Sequence, residues 1–468
     1  MLDAAAAKNT NRSAAHPKQY KFDRLPSAYG YCSQIDTQAI VGQYYSVMSS
    51  FVFLHAADLH IDSPLRGLEA GSPADRIRTA TRVAFTNLVD LALRERVAFV
   101  VIAGDVFDGD WPDWRTGQFF VQETLRLTRA GIRVVLIRGN HDAQSVVSQR
   151  LSLPEGARML ATDRPETLRF AEHNVCVHGQ SFATREVTEN LVRHYPAPVP
   201  GNLNIGVLHT SASGRPGHAT YAPCTVEQLI THGYDYWALG HVHAREVLSR
   251  SPWIVFPGNT QGRHVGEVGP KGATLVTVRD GRIEEAVHHE LDVVRWAVLD
   301  IDVTGADDEE QVFAATRARL ADELGNNAGR LLAVRLVLTG ACDAHSALSR
   351  DLGATRDKLR GEAAASATAD ELWLETVKVR TRPALDLAAM RARTDAVGLL
   401  VQGIEAVDAT DLAASAQKYC AALLDRASGL RVALGEDHPA VRAAAGTLPP
   451  ELLARAKALL LARLAEGD

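Results

Sequence analysis

The sequence predicts an α/β protein whose functional residues collect along one edge of its sheets. Three observations lead there. Between residue 51 and about residue 290, short apolar runs alternate with stretches of helical apolar spacing. That β-α-β rhythm argues for strands crossed over by helices. Polar motifs rich in Asp, His and Asn follow several of those runs, and in α/β sheets functional groups gather at the carboxyl ends of strands. Finally, the chain has 468 residues, 46% apolar and 23% charged. That is the make-up of a globular protein of about two or three domains.

Taken in order, residues 51–57 read as a buried strand. Residues 75–96 carry Ile77, Val83, Leu88 and Leu91 at helical spacing. Residues 97–103 are a second buried strand, 116–130 a helix and 133–137 a third strand. Strands follow at 167–170, 175–177, 205–208, 236–239, 253–256 and 273–278, with fewer helices between them. Part of the sheet is therefore expected to be antiparallel or mixed. From about residue 294 the rhythm changes: strands at 296–303, 331–338 and 372–380, and helices at 309–324 and 346–365, make a compact α+β unit. After Pro383 the chain is Ala- and Leu-rich and helical, with Leu452, Leu453, Ala456, Leu460 and Leu464 on one stripe. The expected divisions are 1–47, 48–292, 293–383 and 384–468.

Residues 1–47 are polar and aperiodic, without the apolar core of a signal peptide. The texture changes at Met48, which is read as the natural start or as the end of a disordered tail. A small ordered extension is the rival reading. No apolar run approaches the ~18 residues of a membrane-spanning helix. The five cysteines (Cys32, Cys176, Cys224, Cys342, Cys420) are scattered and form no Cys-x-x-Cys pair. This pattern points to a reducing, cytoplasmic compartment. The net charge is −6, from 50 Lys+Arg against 56 Asp+Glu. Such a chain is no electrostatic magnet for nucleic acid unless bound metals supply local positive charge.

The motifs carry the chemistry. Asp58-Leu59-His60 follows the first strand, Gly104-Asp105 the second and Gly139-Asn140-His141-Asp142 the third. His209 follows the strand at 205–208, and Gly240-His241-Val242-His243 the strand at 236–239. Carboxylates, imidazoles and one amide oxygen form a hard-to-borderline ligand set suited to Mn²⁺, Fe or Zn²⁺. They are too many for one four-coordinate ion and about right for two ions sharing a carboxylate. Two ions ~3.5–4 Å apart clamp the attacking and leaving oxygens of a phosphoryl displacement and make hydroxide available near neutral pH. Gly104, Gly139 and Gly240 are expected to let the chain turn sharply as it leaves each strand. Asp-x-His and His-x-His are expected to place both side chains on one side of an extended segment.

Residues 51–270 resemble the calcineurin-like metallophosphoesterases, whose pattern is Asp-x-His, Gly-Asp, Gly-Asn-His-Asp/Glu, His, Gly-His-x-His. More closely, the chain resembles the YhaO-type branch of the SbcD-like DNA repair exonucleases. The runs behind that are HAADLHIDSPLRGLE at 55–69, GDVFDGDW at 104–111 and PGNTQGRH at 257–264. The resemblance implies an αββα sandwich of mixed sheets, a small α+β cap domain and C-terminal helices. It implies one metal held by Asp58, His60, Asp105 and His243, and another by Asp105, Asn140, His209 and His241, with Asp105 bridging. His141 would stand by the scissile phosphate and stabilise the transition state or protonate the leaving oxygen, as a general acid does. Mn²⁺ is the metal it implies, with Fe, Zn or Mg as alternatives. DNA, an SMC-like (SbcC/YhaN-type) ATPase and a second copy of the chain are the implied partners.

One position departs from the pattern. Several nucleases of the superfamily carry a second histidine after Gly-Asp, where this chain has Asp108. A carboxylate cannot be the same cationic donor, so metal-dependent phosphodiester cleavage is implied more firmly than exonuclease action. Asp108, Arg263 and His264 are the candidate substrate-binding residues, and His55 or His264 the candidate substitutes for the missing histidine. His55 is more simply a core histidine. Asp62 and Arg66 would be second-layer supports or surface residues. Trp111 and Trp114 would anchor a loop rather than stack on bases, and Asp110 and Asp113 beside them oppose DNA. The last helices would complete the fold or dock into a partner's groove. A phosphodiesterase or phosphatase for small nucleotides, and a low-activity scaffold protein of an ATPase complex, are the competing functions.

Overall fold

A computed structural model of the chain describes residues 50–63, 73–108, 114–144, 151–212, 221–384, 387–426, 430–435 and 438–466. Met48, the segment 1–47 with Cys32, and Arg66, Asp110, Trp111 and Asp113 lie outside them.

Strands β1 (Phe51–Ala56), β2 (Phe99–Ala103), β3 (Arg133–Ile137) and β4 (Ala157–Met159) come first. Helices α1 (Ala74–Arg94) and α2 (Arg115–Arg129) cross between them, and short α3 (Asn140–Gln144) follows β3. Next come β5 (Glu166–Phe170), β6 (Val175–Gly179), β7 (Leu203–His209), α4 (Val226–His232), β8 (Tyr236–Gly240), β9 (Glu246–Arg250) and β10 (Trp253–Phe256). β11 (Gly272–Arg279) and β12 (Arg282–Glu290) form a hairpin that returns to β1.

Two six-stranded sheets result, in the orders β12-β11-β1-β2-β3-β4 and β5-β6-β7-β8-β10-β9. Both are mixed. β1 to β4 run parallel beside the antiparallel β11–β12 pair. β6, β7, β8 and β10 run parallel between antiparallel edges β5 and β9. The inner strands are Val-, Ile- and Leu-rich because both of their faces are covered. Phe53, Phe99, Val101 and Val135 of the first sheet pack against Val177, Ile205, Val207 and Ala238 of the second. The alternate residues Leu54, Val100, Ile102 and Leu136 face outward against Phe85, Leu88 and Phe120 of α1 and α2. On the other outer face Trp237, Leu239 and Ile254 meet Leu229 of α4. The layers are helix, sheet, sheet, helix.

A third sheet contains β13 (Val294–Asp302), β14 (Leu331–Cys342) and β15 (Leu372–Pro383), all parallel. Helix α5 (Glu309–Asn326) makes the first crossover, and α6 (His345–Arg350) with α7 (Leu352–Ser366) the second. The expected single helix at 346–365 is broken at Asp351. That residue is extended (φ −139°) and its carboxylate accepts from the Ala354 N–H at 2.9 Å. A capping Asp starts a helix rather than continuing one. The crossover residues Val312, Leu320, Leu348, Leu359 and Ala363 bury one face of the sheet. On the opposite face Trp296 and Ala333 pack on Ile77 and Ala80 of α1. Helices α8 (Leu387–Ala392), α9 (Ala396–Ala406), α10 (Ala409–Arg426), α11 (Leu430–Leu434), α12 (Pro439–Ala444) and α13 (Pro450–Glu466) follow. Among the described residues no helix is long and apolar enough to cross a membrane.

Candidate metal centre

The carboxyl ends of β1, β2, β3, β7 and β8 share one edge of the sandwich, and each ends in one of the polar motifs. The chain turns hard there. Asp58 (φ 53°), His60 (φ 44°), Asp105 (φ 51°) and His241 (φ 100°) all lie in the left-handed region. Each such residue costs of order 1–3 kcal/mol and persists only where its surroundings dictate it. Here the Asp-x-His and Gly-Asp turns zip together: Asp58 N–H donates to Gly104 O at 3.0 Å and His60 N–H to Asp105 O at 3.1 Å. The expectation of an extended Asp-x-His is thus corrected, because Asp58 and His60 are aimed by a strained turn and not by strand alternation.

The glycines act in two ways. Gly104 has φ 94° and turns the chain, as expected. Gly139 and Gly240 supply space instead. A Cβ on Gly139 would sit 2.3 Å from Asp105 Oδ1, and one on Gly240 2.0 Å from Ala103 O.

The side chains close on one another. Three overlapping groups offer ligand atoms within 4.8 Å of one another: Asp58, His60 and His243; Asp58, Asp105 and His209; and His60, Asp105 and His141. His60 Nε2 lies 3.2 Å from His243 Nε2. His209 Nε2 is 2.9 Å from Asn140 Oδ1 and 3.4 Å from Asp105 Oδ2. Asp58 receives the His241 N–H at 3.0 Å on both oxygens.

These atoms suit a cation. Ala103 O and the Glu267 carboxylate can only accept, so the Nδ1 of His209 (2.9 Å) and of His243 (2.7 Å) must carry hydrogen. With that hydrogen on Nδ1, the Nε2 of each ring faces the other polar atoms of the cluster and can ligate a cation when it carries no proton. Opposed acceptors in a buried site repel unless a positive charge lies between them. The cluster fits two divalent ions, and Asp105 Oδ2 lies 3.4 Å from His209 Nε2 and 4.0 Å from His60 Nε2.

The titration behaviour follows the same lines. Burial raises Asp105, but the neighbouring His209 outweighs it and holds the carboxyl well below the usual range. Burial opposes charge on His209 too, yet Asp105 lifts it to about 9. Asp58, more dominated by burial, is pushed up to about 6. Burial, with Arg263 and His243 nearby, drives His60 well below its ordinary value.

His141 stands at the open side, its ring a third exposed (33%). Its N–H donates to Asp105 Oδ1 at 2.9 Å, and its Nδ1 lies 2.6 Å from Asp108 Oδ1. Burial lowers its pKa, but the Asp108 hydrogen bond and the charges of Asp105 and Asp108 raise it on balance. Asp108 also accepts from Ser63 Oγ at 2.5 Å and faces Arg263 Nη1 at 3.4 Å. Burial works against its charge, but His141, His60 and Ser63 hold it well below the usual carboxylate range.

Other candidates sort clearly. Arg263 is in the cluster, whereas His264 is 63% exposed with Nδ1 accepting from Gly266 N–H. His55 is a core histidine between Tyr236 OH (2.9 Å) and Leu239 O (3.2 Å), with burial taking its pKa down to about 3. Asp62 clamps Arg82 and Thr116 and does not reach the ligands. Trp114 is 55% exposed at the start of α2. Two residues escaped the sequence reading. Glu267 binds His243, and Asp142 accepts the N–H groups of Val106, Phe107 and Gly139 at 2.9–3.1 Å, tying the Gly-Asp turn to the Gly-Asn-His turn. Asp142 lay inside a motif already singled out, whereas nothing local marks Glu267.

The chain matches the calcineurin-like phosphoesterase family over residues 51–245 and the YhaO metallophosphoesterase middle domain over residues 296–382. It is 35% identical over 300 residues to the "Uncharacterized metallophosphoesterase YhaO" of Bacillus subtilis (strain 168), covering 63% of this chain and 73% of that one. The chain belongs to the YhaO branch of the calcineurin-like metallophosphoesterases. This metallophosphoesterase is also 26% identical over 300 residues to the DNA double-strand break repair protein Mre11 of Sulfolobus acidocaldarius, covering 60% and 74% of the two chains. Over 105 residues it is 35% identical to a subunit of the nuclease SbcCD of Rhodobacter capsulatus, covering 22% and 23%. As a calcineurin-like metallophosphoesterase it is a metal-dependent hydrolase of phosphoesters, and its His/Asp cluster fits two divalent ions.

Proposed function

We propose that the protein is a Mn²⁺-dependent nuclease of the DNA repair type that cleaves phosphodiester bonds. One ion would be held by Asp58, His60, Asp105 and His243, and the other by Asp105, Asn140, His209 and His241. The observation that carries this reading is the meeting of imidazoles and carboxylates from five strand ends, with His141 at the open side. When bound, the ions supply Lewis acidity and a more acidic water. The residues do the rest. Asp108 holds the His141 ring by Nδ1, which leaves Nε2 to give a proton to the leaving oxygen. Asp105 pins the His141 backbone. Arg263 offsets the negative charge that Asp108 would otherwise present to a phosphate.

DNA as substrate is supported by the names of the Mre11 and SbcCD relatives. An ATPase partner is supported by the naming of the SbcCD relative as one subunit of a nuclease and by the C-terminal helices, where Leu399, Tyr419, Leu423, Leu459 and Leu460 are each more than half exposed. A time course with Mn²⁺ on end-labelled linear duplex, beside an Asp105→Ala control, tests the reading. Degradation by the wild type and not by the control is expected. Intact duplex beside Asp105-dependent cleavage of a small phosphodiester, with the ATPase also present, contradicts the DNA reading and leaves a small-nucleotide enzyme.

A further inference from the structure

Two histidines with different jobs, the ligand His243 and the proton donor His141, are joined by one chain of charged groups. His243 Nδ1 donates to Glu267 Oε1 at 2.7 Å. Glu267 is 7% exposed and is held from three further directions: Asn259 Nδ2 (2.9 Å), the Arg263 backbone N–H (2.8 Å) and Arg263 Nη2 (2.8 Å). Arg263 Nη1 then reaches Asp108 Oδ2 at 3.4 Å, and Asp108 Oδ1 lies 2.6 Å from His141 Nδ1. The loop bearing Arg263 and Glu267 is itself fastened to β13, with Trp296 Nε1 donating to Gly262 O at 2.9 Å and Gly269 N–H to Trp296 O at 3.0 Å. Lys271 Nζ caps His243 O at 2.8 Å.

We propose that Glu267 and Arg263 are positioning residues that set the metal ligand and the proton donor as one unit. Glu267 fixes the tautomer and tilt of His243, so that Nε2 would be the atom offered to an ion. A carboxylate behind a ligating imidazole does this and strengthens the ligand. Arg263 ties Glu267 to Asp108. Its planar fork can bridge two carboxylates where a lysine would offer a single point. The guanidinium is 13% exposed and committed to both carboxylates, so it has little left to show a substrate. The proposal rests on the dinuclear reading above, and its test therefore reads metal binding separately from DNA cleavage.

The experiment is a Mn²⁺ titration by calorimetry on the full chain, comparing wild type, Glu267→Gln and Arg263→Gln. Thermal melts in chelator, and kcat and KM on a small phosphodiester, accompany it. Glu267→Gln should weaken one of two Mn²⁺ sites by about 10- to 100-fold, keep the other and melt in chelator as the wild type does. Arg263→Gln should weaken the same site and lower kcat with little change in KM. Wild-type affinity at both sites in folded Glu267→Gln overturns the proposal for Glu267. A raised KM with unchanged Mn²⁺ affinity in Arg263→Gln overturns it for Arg263, which would then be a phosphate ligand. If Glu267→Gln does not fold, Glu267→Asp decides, a weakened site supporting the proposal and wild-type affinity contradicting it. A wild type that binds fewer than two ions overturns the dinuclear reading itself.

Discussion

Asp108 shows how one residue redirects a site. Where related nucleases carry a histidine, this carboxylate takes the Nδ1 hydrogen of His141 at 2.6 Å. It keeps His141 protonated to higher pH, because the charged imidazole gains a partner and a neighbouring negative charge. A general acid works while protonated, so activity should fall as pH rises through the raised pKa of His141. In Asp108→Asn that alkaline limb should move to lower pH, and kcat–pH profiles will show it. An unmoved limb would remove Asp108 from the proton path. His141→Ala should lower kcat by roughly 10²-fold or more with the two Mn²⁺ sites retained, as calorimetry can check. The members of the His/Asp cluster were legible in sequence because they sit in short motifs after apolar runs. Glu267 was not, because it lies 24 residues beyond His243 and meets it only through tertiary packing.

At the scale of elements, the site depends on how closely strand ends approach one another. Gly240 closes β8 with its Cα hydrogen turned to the Ala103 carbonyl of β2, where a Cβ would stand at 2.0 Å from the oxygen. Backbone cannot yield there as a flexible side chain could. Gly240→Ala should therefore destabilise the fold by about 1–3 kcal/mol, read as a lowered urea midpoint, and should misplace His241. Unchanged stability would show that the two sheets have slack at this edge. The buried strands were readable from their Val- and Ile-rich runs. β12, with the sequence RIEEAVHHE, was not, since an edge strand carries charge that hides its period. Helix α4 was missed although Thr225 and Gln228 form a capping box that the sequence displays. Asp351 likewise signalled a helix start inside what periodicity alone made continuous.

Across the whole molecule, hydrolytic chemistry, metal demand and charge fit together. A net charge of −6 gives little general attraction to DNA, so on the proposed reading phosphate would be drawn by the ions or by a partner's surface. The helix-sheet-sheet-helix sandwich covers both faces of each sheet with core, and the His/Asp cluster gathers at the strand ends along one edge. The third sheet stands beside it through Trp296 and the loop that carries Arg263 and Glu267.

Calorimetric titration of metal-free protein with Mn²⁺, for wild type and Asp105→Asn, tests the central claim most directly. Two ions per chain are expected for the wild type, and loss of at least one for the variant whose bridging carboxylate is neutral. A wild type that takes up one ion or none, or an Asp105→Asn protein that binds two as before, would contradict a dinuclear phosphoesterase built on this cluster.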